Sequence, residues 1–346
     1  GYQLTEDDLQ MIKVTNYNTS VNDLNDYEKR LEGNSIVMRK IVKDLQSDIN
    51  NAADGTEATF NISDYDELTK GILIPAGKKI KLTGTKNVTL ASNFTGYYIF
   101  RTEGDAQLDI TIPGFSASTY PKYAFVAGGG SSKIQINQYG ESIMAYLNTL
   151  LYTENGGTID CYSKITKTTF YNSTGGTINI YSDGDVLNPT AEEGSTTNIT
   201  GKLFLSGTFT AEGTVSMRGD IISNLTNLVL GKNSLVTFTT DVARANAKNL
   251  IASFKNNDYT LGKDYLHFLG SYYRIKFSGL LDGHTTTIGS YKGEDGESHS
   301  CIRIVEYDKE EVSSKMSSIA ADLHELDARI SACKEALEVV AIAIYG

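Results

Sequence analysis

The sequence predicts a mainly β chain, a β-solenoid flanked by helical segments, and three observations carry that expectation. Apolar–polar–apolar triplets recur at intervals of 18–26 residues, the period-2 signature of strands with one buried face. Two stretches nearly repeat each other, GGTIDCYS at Gly156–Ser163 and GGTINIYS at Gly175–Ser182. Near the C-terminus, apolar residues alternate four and three apart from Val312 to Ile344, as a helix with one continuous apolar seam requires.

Composition narrows the function classes. Hydrophobic residues make up 40% of 346, enough to bury a core. Acids outnumber Lys and Arg by 42 to 31, a net charge of −11. That balance argues against nucleic acid as a partner, because cationic contacts dominate such binding. The longest apolar run, Val339–Tyr345, is far shorter than the ~20 residues that span a bilayer, so membrane insertion is not expected. Cys161, Cys301 and Cys333 are widely spaced and form no CxxC pair, which argues against a zinc knuckle.

Residues 1–55 read as a helical or coiled-coil segment. Thr5 precedes Glu6, Asp7 and Asp8, a suitable helix start. Leu24, Leu31, Met38 and Leu45 recur every seven residues, although Glu28 and Ser35 interrupt the seam. Gly33-Asn34-Ser35 is also a stop-and-restart signal, so a kinked coiled coil and a helical hairpin both fit.

Residues 56–240 carry the repeats. The triplets start at Val88, Leu108, Ile134, Ile159, Ile178, Thr197, Val215 and Val236. A second apolar element, at Phe100, Phe125, Leu151, Phe170 and Phe209, precedes a glycine-bearing turn and the next triplet. A period near 20 residues suits a solenoid coil, which buries its apolar face only against its neighbours. Gly157, Gly176, Gly194 and Gly213 are the expected corners. A β-sandwich with evenly spaced hairpins is the alternative. The stretch Gly71-Ile72-Leu73-Ile74-Pro75-Ala76-Gly77-Lys78-Lys79-Ile80-Lys81-Leu82 resembles the opening of pectate-lyase-like right-handed parallel β-helices. That resemblance covers about twenty residues and implies an architecture rather than an activity.

Residues 241–306 break the pattern and read as an α/β cap. Asp241 can start a short helix through Val242, Leu250, Ile251 and Phe254. A strand-rich stretch follows through Tyr272, Tyr273, Ile275 and Phe277, then a loop at Gly289–Ser300 and a strand at Cys301–Tyr307. Such a cap would cover an otherwise unpaired solenoid edge.

Residues 307–346 read as a C-terminal coiled coil. Its seam is Val312, Met316, Ile319, Leu323, Leu326, Ile330, Cys333, Leu337, Val340 and Ile344. Leu and Ile mixed at both core positions lean toward three or more strands. A parallel bundle would bring together Asp322 with Asp327 and Arg329 with Lys334, pairs of like charge. Either other charges compensate, or the seam packs on another partner such as the N-terminal segment.

Chemistry-bearing motifs are scarce: HExxH, GxSxG, P-loop and GxGxxG patterns are all missing from the sequence. The histidines His267, His284, His299 and His324 are scattered, with no converging ligand set for a metal. Asp160 lies on the outward position of its triplet with no second acid on the next rung, so no acid–base pair is visible. Tyr162 and Tyr181 occupy equivalent outward positions and should stack ~4.8 Å apart. They form a sheet-stabilising pair, a subunit contact or a sugar platform.

The order helix, solenoid, cap, helix resembles that of bacteriophage fibres and tailspikes. The resemblance implies a non-enzymatic, homotrimeric structural protein on the virion surface, without catalytic residues or cofactors. Its partners would be copies of itself and capsid or tail proteins, with host-surface polysaccharide as a candidate contact. The alternatives are a bacterial cell-surface β-helix adhesin and a β-helix polysaccharide lyase or hydrolase.

Overall fold

A computed structural model describes residues 3–13, 27–40, 43–137, 143–144, 149–218, 224–239, 250–270 and 275–345. The fold is mainly β, a β-solenoid with a C-terminal helix. The chain divides into two compact units, residues 1–186 and 187–346.

In the first unit, helix α1 (Glu6–Met11) begins after Thr5, whose N–H and hydroxyl both donate to Asp8 Oδ2 at 2.7 and 2.8 Å. The helical expectation then fails. Strands Tyr27–Glu32 and Ser35–Lys40 form an antiparallel hairpin, with Lys29 opposite Met38 and Leu31 opposite Ile36. Gly33 adopts φ 63° in its two-residue turn, a conformation that glycine reaches without steric cost. Leu31 and Met38 are therefore strand residues, and their spacing of seven is incidental to the alternation that sets the hairpin face. Leu24 lies outside the described residues. Leu45 opens helix α2 (Leu45–Asn51) and is buried together with Ile49, a core residue rather than an assembly contact.

Six parallel strands stack next: Glu57–Asn61, Lys79–Thr83, Gln107–Thr111, Lys133–Ile136, Thr158–Cys161 and Thr177–Ile180. Leu108, Ile134, Ile159 and Ile178 share one register position and are all buried, as the triplets predict. The triplet at Val88 is the exception. It begins strand Val88–Glu103, where Val88 pairs with Phe115, and Ile80-Lys81-Leu82 takes its place in the stack. Alternation marks a strand but not the sheet that receives it. Phe100, Phe125, Leu151 and Phe170 form a second inward stack in register, with the Phe100 and Phe125 rings 5.9 Å apart.

The corners correct part of the glycine assignment: Gly194, with φ 75°, turns the chain as expected, whereas Gly157, Gly176 and Gly213 do not take a positive φ. Gly156 and Gly175, with φ of 92° and 76°, make the turns. Gly157 and Gly176 are needed for space instead: a Cβ there would lie 2.2 Å from Ala127 O and 2.1 Å from Thr153 Oγ1.

In the second unit, strands Thr196–Ile199, Thr214–Met217, Leu235–Phe238 and Asp264–Phe268 run parallel, with Thr197, Val215, Val236 and Leu266 in register. Phe209 aligns with Leu228 in a second sheet. The helix expected at Leu250–Phe254 is instead a strand, Ile251–Phe254, paired with Asn224–Leu230. The neighbouring strand supplies backbone partners that a lone segment lacks. Asp241, Val242, Tyr272 and Tyr273 lie outside the described residues. Antiparallel strands His284–Lys292 and Ser298–Glu306 pair with each other, and the latter pairs with Asp264–Phe268. The loop expected over Gly289–Ser300 shrinks to a turn closed by Gly293 N–H donating to Glu297 O at 2.9 Å. Backbone pairing makes strands of this polar stretch regardless of its side chains.

Helix α3 (Lys309–Tyr345) completes the unit. Asp308 Oδ1 accepts from the N–H groups of Glu310 and Glu311 at 2.8 and 3.2 Å, capping its start. Its 37 residues reach ~55 Å at 1.5 Å rise.

Candidate functional site

The outer face of the first unit's six-strand sheet is polar and periodic. Lys81, Asp109, Gln135, Asp160 and Asn179 occupy one row of register positions. Asp160 is only 6% exposed. Lys133 Nζ lies 2.7 Å from its Oδ2, and Asn179 Nδ2 donates to its Oδ1 at 2.7 Å. The hydrogen bond to Asp160 holds the Lys133 ammonium above its ordinary pKa, against the opposing effect of burial. Asp160 is thus engaged in a charge-assisted pair. Gln135 Nε2 donates to Asn137 Oδ1 at 2.9 Å, while Asn137 Nδ2 reaches Asp109 Oδ1 and, at 3.2 Å, Thr111 Oγ1.

Tyr162 and Tyr181 follow the strands that end at Cys161 and Ile180. Their N–H groups donate to Ile136 O and Cys161 O at 2.8 and 2.9 Å, extending the ladder by one residue. The rings stack 4.5 Å apart at 10°, the geometry expected from their spacing, and remain 41% and 43% exposed. Burial, followed by the nearby Asp160 carboxylate, raises the Tyr181 phenol above its ordinary value. The pair presents an ordered aromatic and hydroxyl edge beside amides and a neutralised carboxylate.

Sequence reasoning missed a second aromatic ladder. Tyr123 and Tyr152 stack at 4.3 Å and 8°, and Tyr152 meets Tyr171 at 5.4 Å and 59°. Arg101 lies beside it, 2.8 Å from Glu154 and 3.1 Å from Glu103. Burial acts against the Arg101 charge, but hydrogen bonds to Glu154 and Glu103 outweigh it and raise the guanidinium pKa. Lys122 Nζ lies 4.9 Å from the Tyr123 ring centroid. The available signal was the pair Leu151-Tyr152 and Phe170-Tyr171, an inward residue followed by an outward tyrosine.

On helix α3 the large seam residues are exposed, from 43% at Val312 to 68% at Leu337, with Met316, Ile319, Leu323, Leu326, Ile330, Val340 and Ile344 between. Cys333 is exposed as well. The histidines do not gather at one centre: His267 and His299 flank Tyr291, His284 Nδ1 meets Tyr259 OH at 2.5 Å, and His324 is on α3. Among the described residues, no group of three or more His, Cys, Asp or Glu side chains could hold a metal. No helix among them is long and apolar enough to cross a membrane.

No family model, curated protein or solved structure matches the chain. The fold class is therefore defined by the strand stack itself, a mainly β solenoid with an exposed terminal helix.

Proposed function

We propose that this chain is a non-enzymatic structural fibre or spike protein of a bacteriophage virion, assembled as a homotrimer, with its exposed surface turned toward host glycans. The observation that carries the reading is the exposed seam of α3, ten positions alternating four and three apart with none of its large apolar side chains buried. An isolated helix with that pattern is marginal in water, because tertiary or quaternary packing normally stabilises an amphipathic helix. A second and third copy supply the same seam in register, as a three-stranded coiled coil requires. A right-handed solenoid would give stiffness, since each coil is held by its neighbours. Tyr162 and Tyr181 offer the stacking and hydroxyl groups that a sugar ring uses, and three copies multiply weak contacts.

Native mass, measured by light scattering coupled to size exclusion, tests the assembly. A species near three times the 37.7 kDa chain mass supports the fibre. A monomer removes its main support. Glycan binding is tested separately on arrays of bacterial surface polysaccharide, with Tyr162→Ala/Tyr181→Ala as the variant expected to lose signal while keeping its mass.

A further inference from the structure

The second unit ends its parallel stack at strand Asp264–Phe268, and the hairpin His284–Lys292/Ser298–Glu306 covers that strand. His267 lies on the covered strand, opposite Cys301. Its imidazole stacks on Tyr291 of the outer hairpin strand at 3.6 Å and 18°. The contact thus ties the last parallel strand to the far strand of the hairpin, skipping the one between.

The stack is short of polar partners. His267 Nε2 and Tyr291 OH are both buried without a hydrogen-bond partner among the described residues. Asp264 Oδ2 lies 3.7 Å from His267 Nε2, beyond hydrogen-bond reach. The Asp264 carboxylate is instead engaged by Arg303 Nε through its other oxygen. Arg303 also donates to Ser290 O at 3.1 Å, so the guanidinium fastens the same hairpin.

We propose that the His267–Tyr291 stack is an acid-sensitive latch: the neutral imidazole holds the hairpin on the last strand, and its protonation loosens that attachment. A charge placed on this half-buried ring faces the Asp264 carboxylate only across 3.7 Å, and that carboxylate is already engaged by the nearby Arg303, so the loss of hydration is only partly offset. The surrounding titratable and charged groups are Asp264 on its own strand, Arg303 and Cys301 on the facing strand, and Tyr291 on the next. His299 and Asp295, 2.8 Å apart, lie across Tyr291. On the other side, the register partner of His267 is the neutral Thr237. Burial holds the imidazole below its ordinary value of 6.5, with Asp264 only partly offsetting it. The attachment is therefore complete above 6.5 and weakens as pH falls below it.

Hydrogen–deuterium exchange on the full-length assembled chain, at pH 7.5 and 5.0 and corrected for intrinsic exchange rates, tests the latch. Peptides covering Asp264–Phe268 and Ser298–Glu306 should lose protection at pH 5.0, while those covering Thr214–Met217 should not. His267→Phe, which keeps an aromatic ring on Tyr291, should make protection independent of pH. His299→Gln should leave the wild-type loss intact. Unchanged wild-type protection overturns the proposal, as does a loss that persists in His267→Phe or disappears in His299→Gln.

Discussion

The side-chain amide of Gln46 completes the edge of strand Leu68–Ile74. Its Oε1 accepts from the Leu73 N–H and its Nε2 donates to the Leu73 carbonyl, both at 2.7 Å. One residue of α2 thus stands in for a neighbouring strand at what is a sheet edge among the described residues, which is how a capped edge resists pairing with another chain. Asp44 accepting from Ser47 N–H at 3.2 Å and Tyr65 OH donating to Asp48 at 2.8 Å hold α2 in place.

Replacing Gln46 by Met keeps the stem and removes both hydrogen bonds to Leu73 together with the one that Nε2 donates to Asn50 Oδ1 at 3.0 Å, leaving the part-buried Leu73 N–H and C=O without these partners. Stability should fall by about 2 kcal/mol, read as a shift in the denaturant midpoint. The edge should also become more prone to aggregation. An unchanged midpoint would mean that water replaces the amide without loss.

The paired corner glycines should respond differently to alanine. Gly175→Ala meets nothing closer than 3.6 Å and bears only the strain of φ 76°, about 1 kcal/mol. Gly176→Ala drives a methyl into Thr153 Oγ1 and Asn172 Oδ1, themselves 2.7 Å apart. It should cost more, about 1–3 kcal/mol, and calorimetric melting of the two variants would rank them.

Ile330→Asp in the seam should convert the proposed homotrimer to a 37.7 kDa species with an unchanged β signal in circular dichroism. Among the described residues, none of α3 is buried. Collapse of the β signal would show that the solenoid depends on the helix.

Thiol labelling of that same variant should modify Cys333 alone. Cys161 and Cys301 are buried, and burial pushes the Cys161 thiol up to about 12. It also raises Cys301, so neither supplies thiolate near neutral pH. Both should react only after denaturation, as mass spectrometry would show.

Asp264 contributes a second pH dependence, well separated from that of His267. Burial acts to raise its pKa, but hydrogen bonding to Arg303 prevails and holds it below 3.8. Its stabilisation is present above 3.8 and lost as pH falls through the lower folded value. Asp264→Asn should remove that acid arm from the stability profile and, because Asp264 partly offsets the burial of the His267 charge, deepen the arm that begins near 6.5.

Whatever depends on local period was determined by the sequence itself. Leu108, Ile134, Ile159 and Ile178 were recognisable as one inward stack because a strand with one buried face must alternate. The same logic placed Tyr162 against Tyr181 and drew the seam of α3 from Val312 to Ile344. Register and neighbours were decided by tertiary structure. Leu31 and Met38 obey a spacing of seven and yet lie in a hairpin, since a turn at Gly33 offers cross-strand pairing that no heptad count weighs. Asp160 faces outward as its triplet requires, but it pairs with Lys133, on another strand and a different register row. Tyr123 meets Tyr152, and His267 meets Tyr291, across strands whose alignment follows from packing. Neighbours within a strand are set by a fixed repeat of the backbone, whereas neighbours across strands are set by how every coil settles on the one before it.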